Sequence, residues 1–219
     1  MIAVDDGAFF RVAYRHGHVN ERGDGIVGSV GDGEMRIAVD FDGVIADFHS
    51  VLCANIRERH GIEYRPRDID EWNPRIEGAE VSLLEEVEPL VEDERALRET
   101  EPVTGVARGL ERLRAVGHEC VVATHRPDPV LPAVGEWLDD RDIPHDGLLA
   151  DVPQNKGRID ADVLIDDRPK NVLDAIAAGM SGIHFVGTID CELPGEGGVE
   201  PVRAKSWTEA AALLTDGRE

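Results

Sequence analysis

From Met35 onward, short apolar runs bounded by turn residues alternate with stretches whose apolar residues recur at helical spacing, and no other feature limits the fold so strongly. Runs at 36–40, 119–124, 147–150, 163–166, 183–186 and 201–204 have the length of buried strands. Between them, 106–116 sets Leu110, Leu113 and Val116 on one helix face and stops at Gly117. Residues 130–140 and 171–178 repeat the helical pattern, the latter closed by Gly179. Ser206-Trp207-Thr208-Glu209 is a capping box opening a helix through Leu214. Alternating strand and helix predict an α/β fold, a parallel sheet with helices on both faces.

Two stretches break the rhythm. Over 48–104 no strand pattern occurs, yet 51–56 and 81–91 carry helical spacing, separated by the turn text Arg65-Pro66-Arg67-Asp68 and Trp72-Asn73-Pro74. This predicts a helical insertion into the sheet domain, with an acidic, lysine-free and mostly solvated surface. Residues 1–34 hold seven glycines and no sustained periodicity. Such a segment buries too little to offset its ordering entropy, so a disordered extension is expected, with Met35 as the natural start.

Composition decides what the folded chain can meet. The 23 basic against 45 acidic residues leave a formal charge of −22, and no basic patch interrupts it. An acidic surface repels phosphate backbones and anionic headgroups, so neither a nucleic acid polymer nor a membrane is an expected partner. Lys156, Lys170 and Lys205 are the only lysines beside twenty arginines, and so acidic a chain suits a high-salt interior where charge is screened. Cys53, Cys120 and Cys191 are odd in number and far apart, which fits buried reduced thiols rather than a disulfide framework or a zinc site. No apolar run approaches the roughly 18 residues of a membrane span, and Met1-Ile2-Ala3-Val4-Asp5-Asp6 lacks a signal peptide's basic start. A cytoplasmic protein is expected.

Chemistry gathers where strands end, because parallel strands deliver their carboxyl ends to one crevice. The first run ends in Asp40-Phe41-Asp42-Gly43, the second in Thr124-His125-Arg126-Pro127 and the fourth in Asp166-Asp167-Arg168-Pro169, with Lys156 in the loop before the fourth. Four carboxylates brought together repel one another unless a hard divalent cation such as Mg²⁺ neutralises them. A carboxylate beside Mg²⁺ can attack phosphorus, and a second acid two residues on can protonate the leaving oxygen and then activate water. Thr124 and Lys156 would bind the equatorial oxygens as charge spreads over them. Arg126 and Arg168 are further candidate phosphate binders. The series Arg57, Arg59, Arg65 and Arg67 either reads an anionic substrate or forms a solvated face.

These residues, in this order, resemble the haloacid dehalogenase (HAD) superfamily of phosphohydrolases over about residues 35–215: Asp40-x-Asp42-Gly43 its first motif, Thr124 its second, Lys156 its third, Asp166-Asp167 its fourth. The resemblance implies a HAD-like Rossmannoid core of three layers over 35–47 and 105–219, with 48–104 as a small helical cap. It implies Asp40 as nucleophile, Asp42 as general acid/base, and Thr124 and Lys156 as phosphoryl binders. Mg²⁺ would be held by the Asp40 side chain, the Asp42 backbone carbonyl and the Asp166-Asp167 pair. Superfamily dehalogenases generally lack the acid at position 42, so phosphate-ester hydrolysis is expected.

Asp40-Phe41-Asp42-Gly43-Val44-Ile45-Ala46-Asp47-Phe48 and Leu164-Ile165-Asp166-Asp167-Arg168-Pro169-x-Asn171 are similar to the 5′(3′)-deoxyribonucleotidase group, the cytosolic type C 5′-nucleotidases. That implies a small phosphorylated metabolite as partner, such as a 5′-(deoxy)nucleotide, with Phe48, Tyr64 or Trp72 for base stacking. Sugar phosphates, phosphoglycolate and a non-catalytic Mg²⁺-binding module stand as alternatives. A signalling receiver domain, which also clusters Asp, Thr and Lys, fits less well, because receivers place the acidic pair first and the lysine last.

Overall fold

The computed structural model describes residues 33–191 and 201–215; the leader expected over 1–34 lies outside the described residues except for its last two positions. In chain order the elements are β1 (Arg36–Val39), α1 (Phe48–His60), α2 (Leu83–Glu92), α3 (Glu94–Glu99), α4 (Val106–Ala115), β2 (Glu119–Val122), α5 (Leu131–Asp140), β3 (Gly147–Leu148), β4 (Val163–Asp166), α6 (Pro169–Ala177), β5 (Ser181–Phe185), β6 (Val202–Ala204) and α7 (Trp207–Thr215). Short 3₁₀ turns lie at Pro66–Asp68, Asp128–Val130 and Lys156–Arg158.

The six strands form one parallel sheet in the order β3-β2-β1-β4-β5-β6. Strand alternation sorts side chains between two faces. Ile37, Val39, Cys120, Val122, Val163, Ile165, Ile183 and Phe185 point into a core shared with α4, α5 and α7. Ala38, Val121, Ala123 and Leu164 point the other way, toward Ala175 of α6 and Met180. The expected α/β architecture is therefore present. Because β1 pairs with β2 on one side and β4 on the other, the strand order reverses at the carboxyl end of β1, where such sheets open a crevice.

Only β4 has its expected extent; β1 and β2 stop short of Asp40 and Thr124, β6 starts one residue late, and β5 and β3 depart for reasons of their own. β5 starts at Ser181, two residues early, where small side chains hid the strand from an apolar count. Gly182 is small for a reason: a Cβ there would meet Val172 Cγ1 at 2.7 Å and the Val172 carbonyl at 3.0 Å, so α6 lies hard against the strand. The run at 147–150 contributes only a two-residue edge strand.

The stretch between β1 and α4 contributes nothing to the sheet and builds a second apolar cluster from Phe48, Leu52, Cys53, Ile56, Ile69, Ile76, Leu83, Leu90 and Ala96, joined by Ile189 and Cys191. Here α1 is longer than its apolar pattern, because Asp47 caps it by accepting from the Ser50 amide at 3.3 Å and Gly61 ends it with φ 70°. One acid in this stretch is not solvated. Glu86 of α2 is buried and accepts from Asn55 Nδ2 at 3.2 Å and Arg59 Nη1 at 2.6 Å, with His60 Nε2 at 2.9 Å, which ties α2 to α1. All three cysteines are free and buried, and no helix among the described residues is long and apolar enough to cross a membrane.

Candidate active site

The β1 strand leads into a compact turn in which the Ile45 and Ala46 amides both donate to the Phe41 carbonyl, at 2.9 and 2.8 Å. Asp40 leaves the sheet beside β4, its amide donating to the Ile165 carbonyl at 2.9 Å, and this brings it next to Asp166 and Asp167. One carboxylate oxygen from each of Asp40, Asp166 and Asp167 lies within 4.8 Å of the others, and all three residues are buried. Lys156 joins two of them. Its ammonium donates to Asp40 Oδ1 at 2.7 Å and to Asp166 Oδ2 at 2.8 Å, with the side chain only 1% exposed. The Lys156–Arg158 turn is held by Asn155 Oδ1, which accepts from the Gly157 amide at 2.9 Å.

The two acids after β4 are bound differently. Asp166 accepts from the Arg168 amide at 2.8 Å and from Asn171 Nδ2 at 3.1 and 3.0 Å, besides Lys156. Asp167 keeps a buried oxygen, Oδ2, with no hydrogen-bond partner. An unsatisfied buried carboxylate oxygen is costly, and it marks where a cation would be most stabilising. His49 Nε2 is 3.4 Å from this atom, yet burial lowers the His49 pKa to about 4, so the ring is neutral near pH 7 and does not supply the charge.

Charge is short elsewhere in the cluster as well. Burial pushes Asp40 up to about 7 against the pull of Lys156, with Asp166 and Asp42 adding to the rise. Burial, then Asp40 and Asp166, pushes Asp167 well above the ordinary carboxylate range. Burial alone would lower Lys156, but Asp166 and Asp40 outweigh it and hold the ammonium above its usual value. Three buried carboxylates and one ammonium form a donor set deficient in positive charge, and its hard oxygens fit a divalent cation.

Asp42 stands apart from that trio. Its carboxylate meets the Arg126 guanidinium: Oδ1 accepts from Nη2 at 2.8 Å and Nε at 3.2 Å, while Oδ2 accepts from Nε at 3.0 Å. Arg126 is thus turned toward an acid rather than toward open space. Thr124 is buried just past β2, and its hydroxyl oxygen accepts from the Arg126 amide at 3.1 Å. Arg168, next after the Asp166-Asp167 pair, lies 5.0 Å from the ring centroid of the exposed Trp72, an aromatic of the stretch between α1 and α2. Phe48 is buried and Tyr64 packs against the cluster around α1, while Arg57, Arg59, Arg65 and Arg67 are exposed.

Three features escaped the sequence reading. Asn171 carries no expected role; its place in the first turn of α6 is what lets it reach back to Asp166. Neither His49 beside Asp167 nor the pairing of residues 42 and 126 has any local signal, because both depend on how the turn after β1 folds.

A family model described as 5′ nucleotidase, deoxy (Pyrimidine), cytosolic type C protein matches residues 34–218. A protein of Chlorobaculum tepidum named "Putative 5'(3')-deoxyribonucleotidase" is 25% identical over 194 residues, covering 81% of this chain and 89% of that protein. Among solved structures, a haloacid dehalogenase-like family hydrolase from Streptococcus pneumoniae superposes with a TM-score of 0.55 at 12% identity, covering 83% of this chain and 98% of that one. A HAD family hydrolase from Deinococcus radiodurans, solved with bound phosphate and sodium, gives 0.54 at 17% identity, covering 85% and 97%. At such identities the solved structures speak to the fold, which is HAD-like.

Proposed function

The chain belongs to the cytosolic type C 5′-nucleotidase family and is a phosphoric monoester hydrolase, and from that premise we propose that it hydrolyses a small phosphorylated metabolite, such as a 5′-(deoxy)nucleotide, through a phosphorylated Asp40. Residues 35–47 and 105–219 serve as the catalytic core and 48–104 as its cap. Asp40, Asp167 and the Asp42 backbone carbonyl would hold a divalent cation, Mg²⁺ by the hardness of the donors. Bound there, it supplies charge neutralisation for an incoming phosphoryl group. Asp167 is the direct ligand of the acidic pair on this reading, because its Oδ2 is unpartnered whereas Asp166 is occupied by Lys156, Asn171 and the Arg168 amide.

The protein's own groups then divide the work. Lys156 and the Phe41 amide both donate to Asp40 Oδ1, at 2.7 and 2.8 Å, which leaves Oδ2 to attack phosphorus. A bond forms between that oxygen and phosphorus while the bond to the leaving oxygen breaks. The released electron pair stays on the leaving oxygen, which takes a proton from Asp42. Water next attacks the same phosphorus and gives a proton back to Asp42, and the phosphorus–Asp40 bond breaks to return the carboxylate and release phosphate. Lys156 and Thr124 stabilise the equatorial oxygens in both steps.

The observation that carries this reading is the Lys156 ammonium bridging Asp40 and Asp166 beside an unpartnered Asp167 oxygen. A 5′-nucleotide is favoured over other monoesters by the family match over residues 34–218 and by the relative named "Putative 5'(3')-deoxyribonucleotidase". Purified protein in molar KCl with Mg²⁺ should hydrolyse p-nitrophenyl phosphate, and Asp40→Asn should not. A panel of nucleotides, deoxynucleotides, sugar phosphates and phosphoglycolate tests the substrate class. Highest kcat/KM on a sugar phosphate or phosphoglycolate would overturn the nucleotide assignment.

A further inference from the structure

Arg126 is the least expected member of the site. Its side chain is 1% exposed, whereas the Asp42 carboxylate it binds is 20% exposed, so the guanidinium backs the acid from the protein side. One edge holds both Asp42 oxygens, and Nη1 donates to the Val91 carbonyl at 3.3 Å. The Phe41 and Phe48 ring centroids lie 5.7 and 5.6 Å from its central carbon. A planar guanidinium fixed by two rings, a carbonyl and a bidentate carboxylate has little freedom to follow a substrate.

We infer that Arg126 is a positioning residue for Asp42: held between Phe41, Phe48 and the Val91 carbonyl, it sets the direction in which the Asp42 carboxylate faces the leaving oxygen and does not itself bind the phosphoryl group. The inference rests on the reading of Asp42 as acid/base given above. Bidentate pairing fixes a carboxylate in rotation as well as in position, and Oδ2, which accepts only from Nε, keeps a lone pair for proton transfer. Phe48 and Val91 belong to the α1–α3 stretch while Phe41 follows β1, so the orientation of the acid is set jointly by both parts of the molecule.

Leaving-group dependence separates this role from phosphate binding. A nitrophenolate departs without a proton, whereas an alkoxide needs one, so losing or misdirecting the acid slows alkyl esters selectively. The measurement is kcat and KM for p-nitrophenyl phosphate and for the best alkyl monoester of the panel, using Asp42→Asn, Arg126→Gln, Arg126→Lys and the Asp42→Asn/Arg126→Gln double variant. Asp42→Asn should lower the alkyl-to-nitrophenyl ratio of kcat/KM, which reports the step that expels the leaving group, on the order of a hundredfold, and Arg126→Gln about tenfold in the same direction, with KM for both substrates within about threefold. Arg126→Lys should fall between wild type and Arg126→Gln, and it carries the test alone if Arg126→Gln does not fold. In the double variant the ratio should match Asp42→Asn, because an orienting group has nothing left to orient.

A rise in KM for both substrates with an unchanged ratio would make Arg126 a phosphoryl binder and overturn the inference. So would equal loss on both substrates, which a merely structural role produces. An unchanged ratio in Asp42→Asn would instead remove Asp42 as the acid, a failure of the underlying reading that the single variant reports by itself.

Discussion

Gly43 shows how little room the site leaves a residue. It sits at φ +84°, and a Cβ there would lie 2.2 Å from Asp167 Oδ2 and 2.5 Å from His49 Cε1. Gly43→Ala should therefore displace Asp167, the proposed metal ligand, and cost at least about 2 kcal/mol of stability, with activity lost in parallel. Gly61 has a similar φ of +70° but open space around it, so Gly61→Ala should cost only about 1 kcal/mol and leave turnover unchanged. Urea denaturation and steady-state rates on both variants check the contrast; equal effects on activity would contradict it. The residues proposed to carry chemistry are legible because each ends or follows a buried strand, as Asp40, Thr124 and Asp166-Asp167 do, or sits as a rare lysine before one, as Lys156 does. The pairing of Arg126 with Asp42 and the place of His49 beside Asp167 are not, since both are set by a turn and a helix start that no periodicity encodes.

Among elements, the α1–α2 pair depends on one buried acid. Glu86→Ala would strand Asn55, Arg59 and His60 without their acceptor and open a gap between the helices. A loss of about 2 kcal/mol is expected, read as a lower urea midpoint, with little change in kcat on p-nitrophenyl phosphate. No change in the midpoint would mean that the three donors are satisfied equally well by water. Strand and helix text between 105 and 191 was legible because apolar alternation and glycine stops act locally. What hid the start of β5 was close packing: where α6 presses on Gly182, the sheet needs a small residue instead of a large apolar one. The burial of Glu86 within a mostly solvated acidic stretch has no sequence signal, because it depends on three donors of a neighbouring helix, and α3 is too short for its own periodicity.

For the whole molecule, the cluster links metal, proton and fold. With no cation bound, Asp40 titrates near 7 and Asp167 is raised well above 3.8, so the folded chain holds protons that the unfolded chain has already released. Between pH 4 and 7 the folded state therefore binds more protons than the unfolded one, and these groups make metal-free stability fall as pH rises through that window. A divalent cation bound at the cluster would displace those protons, so Mg²⁺ should raise the melting temperature over EDTA, and by more at pH 8 than at pH 5. A metal-induced shift independent of pH would contradict this coupling. The charge of −22 adds a second dependence: screening should raise the melting temperature as KCl goes from about 0.15 M to 2 M, and a fall would contradict the account of the acidic surface.

Phosphoryl transfer to Asp40 is tested most directly by quenching the enzyme with acid during turnover, reducing acyl phosphates with borohydride and mapping the peptides by mass spectrometry. The account predicts that the 40th residue, and no other aspartate, is converted to homoserine in a substrate-dependent way. Unmodified Asp40 under turnover, or conversion at Asp42, Asp166 or Asp167 instead, would contradict it.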